Sequence, residues 1–218
     1  MAHPHWPLFD LRVRTPRVEL RYPSDDDLVL IADLAAEGIH DPDTMPFYVP
    51  WSRAESPELE RGVLQHMWSW RASLSPDDWG LPFVVVEEAE LVGVQLLFAV
   101  QFPVTRSVET GSWLVQRAQG RGLGKEMRAA VLHFAFEGLD AVEAYSASFE
   151  DNPASQAVSR ANGYEANGTV LLAREGRPAR NLKWILTRDR WLEARRDDIE
   201  IRGLEPCRPL LDRQLDTP

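Results

Sequence analysis

Residues 108–137 read VETGSWLVQRAQGRGLGKEMRAAVLHFAFE, and their pattern decides the fold. Trp113-Leu114-Val115 has strand character and leads into the glycine-rich turn Gln119-Gly120-Arg121-Gly122-Leu123-Gly124. Leu123, Met127, Ala130, Val131 and Phe134 then recur at helical spacing, and Gly138 stands where that helix is expected to stop. A strand, a loop of small residues and a helix N-terminus make an anion cradle. Backbone N–H groups converge there, glycine lets a ligand approach closely, and the helix dipole favours negative charge. The expected guest is a phosphate or pyrophosphate.

Two common phosphate motifs fail on this stretch. The Walker pattern needs glycine five residues before the Gly-Lys pair and Ser or Thr after it, whereas Gly124-Lys125 has Gln119 and Glu126 there. The dinucleotide pattern G-x-G-x-x-G fails from Gly120, where Lys125 takes the third place, and from Gly122, where Met127 does. A third pattern, Q/R-x-x-G-x-G/A, is met in full by Gln119, Gly122 and Gly124. On these residues the chain resembles the GNAT superfamily of acyl-CoA-dependent N-acyltransferases. Asn152-Pro153-Ala154-Ser155 resembles the family's Asn-x-x-Ser segment, and Asn162-Gly163-Tyr164 resembles its Gly-aromatic step into the next strand. The spacing is most similar to ribosomal-protein N-acetyltransferases, and to an actinobacterial branch of acetyl- or succinyltransferases.

That resemblance spans roughly residues 15 to 188. It implies an α/β (α+β) fold whose mixed, mostly antiparallel sheet splays where the phosphate helix begins, with acyl-coenzyme A entering the gap. Residues 1–14 are expected as an N-terminal arm, 15–195 as the N-acyltransferase domain, and 196–218 as a tail that serves as an arm or a dimer contact.

Composition narrows the class. The chain has 218 residues, enough for one domain with a substantial core, and its 44% hydrophobic and 27% charged content is ordinary for a soluble protein. A single cysteine, Cys207, excludes an internal disulfide and points to a reducing compartment, the cytoplasm. The N-terminus lacks the pattern of a signal peptide, and no apolar run reaches membrane-spanning length. A formal charge of −10 argues against nucleic acid as partner and suits a cationic amine acceptor. The histidines, at 3, 5, 40, 66 and 133, have no metal-ligand spacing, so no metal is expected.

Along the chain, Val18 to Tyr22 alternates as a strand, and Ser24 with three aspartates caps a helix that ends at Gly38. His40 to Ser56 is broken by prolines yet rich in Met45, Phe47, Tyr48, Val49 and Trp51. A helix follows from about Pro57 to Ser73, and Pro76 to Gly80 reads as a loop. Phe83–Val86 and Leu91–Phe98 form a hairpin, Ala141 to Ala147 a strand, and Pro153 to Asn162 a helix. Tyr164–Ala173 and Asn181–Thr187 close as a second hairpin, with a short helix at Arg188 to Arg195.

Transfer of an acyl group from a thioester to an amine needs a held donor, a neutral amine, donors for the oxyanion and a proton for the thiolate. The resemblance assigns donor binding to Trp113, Leu114 and Val115, to Gln119, Gly120, Arg121, Gly122, Leu123, Gly124 and Lys125, and to Asn152 and Ser155. Leu114 or Val115 would polarise the thioester carbonyl, and Arg117 is a further phosphate contact or a solvated charge. Glu109, on the strand face of Trp113, is the expected base acting through water. The helix that commonly carries a tyrosine near the sulfur holds only Ser155 and Ser159, which leaves Ser155 to hydrogen-bond the thiolate. Asn152 serves the pantetheine, caps the helix, or both. Acetyl-CoA is the default donor; succinyl-CoA would need a cation such as Arg106. His40 to Trp51, with Trp68 and Trp70, would roof the acceptor pocket or belong to the core. His133 is expected to be exposed, and a covalent route through Cys207 is not expected. A non-catalytic acyl-CoA-sensing module is the alternative that the missing tyrosine suggests.

Overall fold

The computed structural model describes residues 3–213. Strands β1 (Arg12–Arg14) and β2 (Val18–Arg21) lead to α1 (Asp25–Glu37), and an irregular segment precedes α2 (Glu58–Ser73). The hairpin β3 (Trp79–Glu87) and β4 (Glu90–Ala99) is followed by the one-turn α3 (Phe102–Thr105), β5 (Ser107–Leu114) and α4 (Leu123–His133). Then come β6 (Glu143–Phe149), α5 (Pro153–Ala161) and the hairpin β7 (Glu165–Arg174) and β8 (Arg177–Thr187). The chain ends with α6 (Arg188–Glu193), β9 (Glu200–Arg202) and α7 (Arg208–Leu211).

Local chemistry explains the boundaries. The Ser24 side chain accepts from the Asp27 N–H while the Asp27 carboxylate accepts from the Ser24 N–H, a reciprocal capping box at α1. The β3–β4 turn has Glu88 and Ala89 both at positive φ, the geometry of a tight hairpin that follows the sheet's twist. The α4 helix reaches its expected stop at Gly138 by loosening over its last residues: Phe134–Gly138 forms a π turn.

The strands form one nine-stranded sheet in the order β7-β8-β6-β5-β4-β3-β2-β1-β9. Every neighbouring pair is antiparallel except β5 and β6, which pair in parallel only over Ser107–Glu109 and Glu143–Tyr145. Past that point β5 stays with β4 as far as Leu114 and β6 stays with β8 as far as Phe149, so the two central strands part. One face of the sheet buries Val84 and Val94 beneath Leu28, Ile31, Leu59 and Val63 of α1 and α2. The other buries Leu81, Phe83 and Val85 against α4, with the Phe83 and Phe134 rings 5.6 Å apart. The mixed, splayed sheet is therefore the one expected.

Both chain ends depart from expectation. Instead of an arm, residues 7–14 bury Leu8, Leu11 and Val13 completely, and β1 pairs with β2. Instead of a free tail, β9 pairs with β1, and Leu204, Cys207 and Leu211 are buried. The Trp79 indole donates to the Leu211 carbonyl at 2.7 Å, and Arg106 bonds Asp212 at 2.6 Å. Strands of three residues are too short to show a period, which is why the sequence conceals them. Residues 1, 2 and 214–218 of the expected arm and tail lie outside the described residues. Trp79 and Gly80, expected in a loop, open β3. No helix among the described residues is long and apolar enough to cross a membrane.

We predict that Leu11→Ala, at a site with 0% exposure, lowers unfolding stability by about 2–5 kcal/mol in urea titration. A loss below about 0.5 kcal/mol would mean that the N-terminal segment is peripheral after all.

Candidate functional site

The loop between β5 and α4 is built to receive an anion. Gly122 stands at the N-cap with φ +85°, a conformation that costs other residues strain, and no side chain caps the helix. The N–H groups of Lys125 and Glu126 turn back to the Gly122 carbonyl, which leaves the first N–H groups of the helix open to a ligand. Gly120 has φ +74° and open space beside it, whereas Gly124 allows close helix packing, its Cβ position lying 3.3 Å from Val158 of α5. Leu123 is buried as the helix's anchor.

Not every predicted contact is free for that role. The Gln119 amide donates to the carbonyls of Ile39 and Leu114, both at 2.8 Å, so it staples the loop to the end of β5. Arg121 lies against Glu87 at 2.8 Å, and Arg17 bonds both Glu87 and the Arg121 carbonyl. Arg117 pairs with Glu37 at 3.0 Å. Lys125 is exposed and makes no ion pair among the described residues. A groove of about 250 Å³ extends from Gly122 and Lys125 toward Trp191 and Arg196. The fit for the pyrophosphate of coenzyme A therefore rests on backbone N–H groups and Lys125 more than on arginine.

Beside this cradle is the parting of β5 and β6. The Val115 N–H donates to the Val92 carbonyl at 3.0 Å. Of the two amides expected to polarise a thioester, Val115 is thus spent, and alternation turns Leu114 to the opposite edge, toward the gap. Trp113 stands on the α1/α2 face with its ring 6.3 Å from Trp51. That face is roofed by the segment at 40–53. Phe47 packs on Trp51 at 5.2 Å, and His40 Nε2 bonds Ser52 Oγ at 2.7 Å. Arg53 reaches Glu175, while Arg174 bonds the Met45 carbonyl and Asp151. The roof is therefore fastened to the β7–β8 hairpin. Trp70 belongs to the sheet, stacked on Phe98 at 6.0 Å, and Trp68 is exposed.

Glu109 occupies the last paired position before the strands part, on the Trp113 face, opposite Phe98 and Tyr145. Burial raises its pKa above the ordinary glutamate value, and Lys183 draws it partly back. On the opposite face, Arg128 of α4 is 3% exposed and bonds Ser146 at 3.1 Å and Ser112 at 3.3 Å. The Tyr164 hydroxyl lies 3.2 Å from Thr110 Oγ1 on that face. Spacing could have flagged neither role: Arg128 lies within the helix stripe, and Tyr164 reads only as a strand entry.

At α5 the Asn152 side-chain amide oxygen, Oδ1, accepts from the Ser155 N–H at 3.0 Å, so Asn152 is the N-cap. The Ser155 hydroxyl has no protein partner among the described residues and stays half-buried, whereas Ser159 Oγ is fully buried without one. Two further expectations fail. Arg106 is held by Asp212 and the Phe102 ring, at the far end of β5. His133 is buried against Trp191, 5.8 Å away, because α6 covers a helix face that looks solvated in the sequence.

A family model described as an acetyltransferase (GNAT) domain matches residues 17–165. Similar solved structures include RimL, a ribosomal-protein alpha-N-acetyltransferase in complex with coenzyme A, at 19% identity and a TM-score of 0.64, covering 79% of this chain and 95% of that one. A spermidine/spermine N-acetyltransferase, SpeG from Vibrio cholerae, matches at 17% and 0.62, covering 82% and 98%. A GNAT-family acetyltransferase from Bacillus anthracis matches at 15% and 0.64, covering 82% and 99%. At these identities the likeness is one of fold.

Cys207 lies apart from the site, buried, with its thiol pushed up to about 12, chiefly by desolvation. Among the described residues no group of three or more His, Cys, Asp or Glu is arranged to hold a metal. We predict that the folded protein at pH 8 leaves Cys207 unmodified by a thiol reagent and that denaturant exposes it. Rapid labelling of the native state would contradict this burial.

Proposed function

We propose that this chain, which belongs to the GNAT acetyltransferase family, moves a short acyl group from coenzyme A to a primary amine by direct attack. The observation that carries the proposal is one juxtaposition: the β5 edge left unpaired beyond Glu109 adjoins the uncapped N-terminus of α4. The helix end and Lys125 hold the pyrophosphate. The free edge of β5 takes the pantetheine amides as an added strand would, and the Leu114 N–H polarises the thioester carbonyl.

The amine enters from the α1/α2 face, beneath Phe47 and Trp51. Glu109 takes the proton that leaves the amine nitrogen, through a water. A C–N bond forms as the C–S bond breaks. The Ser155 hydroxyl donates a hydrogen bond to the departing thiolate, which takes a proton from solvent and leaves as the free thiol, while Glu109 returns its proton to water. A net charge of −10 favours a cationic acceptor, such as a protein N-terminus or a polyamine. The donor is a short acyl-CoA, with acetyl and succinyl as candidates, and the setting is a reducing cytoplasm in which the sole cysteine stays unpaired.

Calorimetric titration with free coenzyme A tests the cradle. Gly122→Glu is expected to weaken binding at least about 10²-fold, because it adds strain and a like charge where the phosphates sit. Affinity unchanged in that variant would displace the site.

Glu109→Gln is expected to lower kcat about 10²-fold. Because burial raises its pKa, the base is lost as pH falls through a value above the ordinary glutamate range, so the acid limb of kcat should lie there in the wild type. A variant with full kcat and an unaltered acid limb would remove Glu109 from the reaction.

A further inference from the structure

Arg128 is the least expected charge in the molecule. It is 3% exposed, the most buried of the three titratable residues that α4 buries, the others being Glu126 and His133. Two of its nitrogens bond neutral hydroxyls, Ser146 at 3.1 Å and Ser112 at 3.3 Å, and its Nε–H has no partner. No carboxylate pairs with it among the described residues. A buried guanidinium without an anion is costly, since two hydroxyls and the Tyr164 ring, whose centroid is 6.0 Å from Cζ, recover only part of its lost hydration. The two serines belong to β5 and β6, so the head group bridges the strands just where their pairing has ended. Around it the same face carries Thr110, Gln95 and Tyr164, with Gln95 Oε1 also unpartnered. This floor is rich in hydroxyls, unlike the apolar seat a methyl group needs.

We propose that Arg128 binds the terminal carboxylate of the acyl group, and hence that the donor is a thioester of a dicarboxylic acid, of which succinyl-CoA is the short example. The inference rests on the acyltransferase reading above and deepens it. Position selects the ligand. Ser112, which Arg128 bonds, lies on β5 two residues from Leu114, the residue whose N–H is assigned to the thioester carbonyl, whereas the pyrophosphate belongs at Gly122, at the other end of the arm. The pantetheine arm between these two ends is neutral, so an anion beside Ser112 is carried by the acyl chain. A carboxylate matches the guanidinium fork in two parallel hydrogen bonds, and would displace the longer contacts to the serines.

The test is calorimetric titration of the full chain with succinyl-CoA, butyryl-CoA, acetyl-CoA and free coenzyme A. Succinyl and butyryl share a chain length and differ in charge, so the wild type should prefer succinyl-CoA by at least about 10-fold. Arg128→Met should erase that preference while free coenzyme A keeps its affinity within about threefold, and Arg128→Lys should keep part of it. Equal wild-type affinities for succinyl- and butyryl-CoA would overturn the proposal, and need no variant to fold. A preference that survives Arg128→Met would also overturn it. So would a loss shared equally by acetyl- and succinyl-CoA, which would make Arg128 a brace between strands. Failure of free coenzyme A to bind would instead sink the acyltransferase reading itself.

Discussion

Everything in this protein that concerns a ligand follows from one interrupted ladder. Two parallel central strands, β5 and β6, pair for three residues and then separate. Unpaired backbone N–H and C=O groups in a sheet interior are costly, so such a gap persists only where packing holds it open and something satisfies its edges. Here α4 packs beneath the parting strands, with Met127 and Val131 in the core they share. Gly124 lets α4 and α5 approach closely, and the Gln119 amide fixes the end of β5 to the chain after α1. The gap and the open helix end are therefore products of one arrangement.

The charges around this arrangement are divided by face. The phosphate side has its arginines already neutralised: Glu87 holds Arg121 and Arg17, and Glu126 lies near Arg17. What remains to attract an anion is the dipole end of α4 and Lys125. On the α1/α2 face, burial lifts the pKa of Glu109, and the segment at 40–53 packs Trp51 near Trp113 of the same strand. That segment is anchored by Arg53 and Arg174, so the closing hairpin of the sheet also holds it in place.

Much of the fold was legible because its signals were long and local. The glycine-rich turn, the Ser24 cap and the β3–β4 hairpin each show their chemistry within a few residues. The hidden parts depend on contacts far apart in sequence. The three-residue β9 joins the sheet only through β1, at the opposite end of the chain, and His133 is buried by a tryptophan that comes 58 positions later. Glu109 and Ser155 were singled out by resemblance to a family pattern; the structure puts Glu109 at the last paired position of β5 and β6 and Ser155 in the first turn of α5. Val115 and Arg121 were not readable in the same way, because their hydrogen bonds depend on Val92 and Glu87 across the sheet. Arg128 was missed because a single charge in an apolar stripe looks like a surface residue until both strands above it are placed.

The most direct test of the account is hydrogen–deuterium exchange with and without coenzyme A. Binding in the gap should slow exchange at the amides of residues 110–114 and 121–125 together, since one ligand covers the free edge of β5 and the open end of α4. Protection confined to another part of the chain, or none at either segment under saturating coenzyme A, would contradict it.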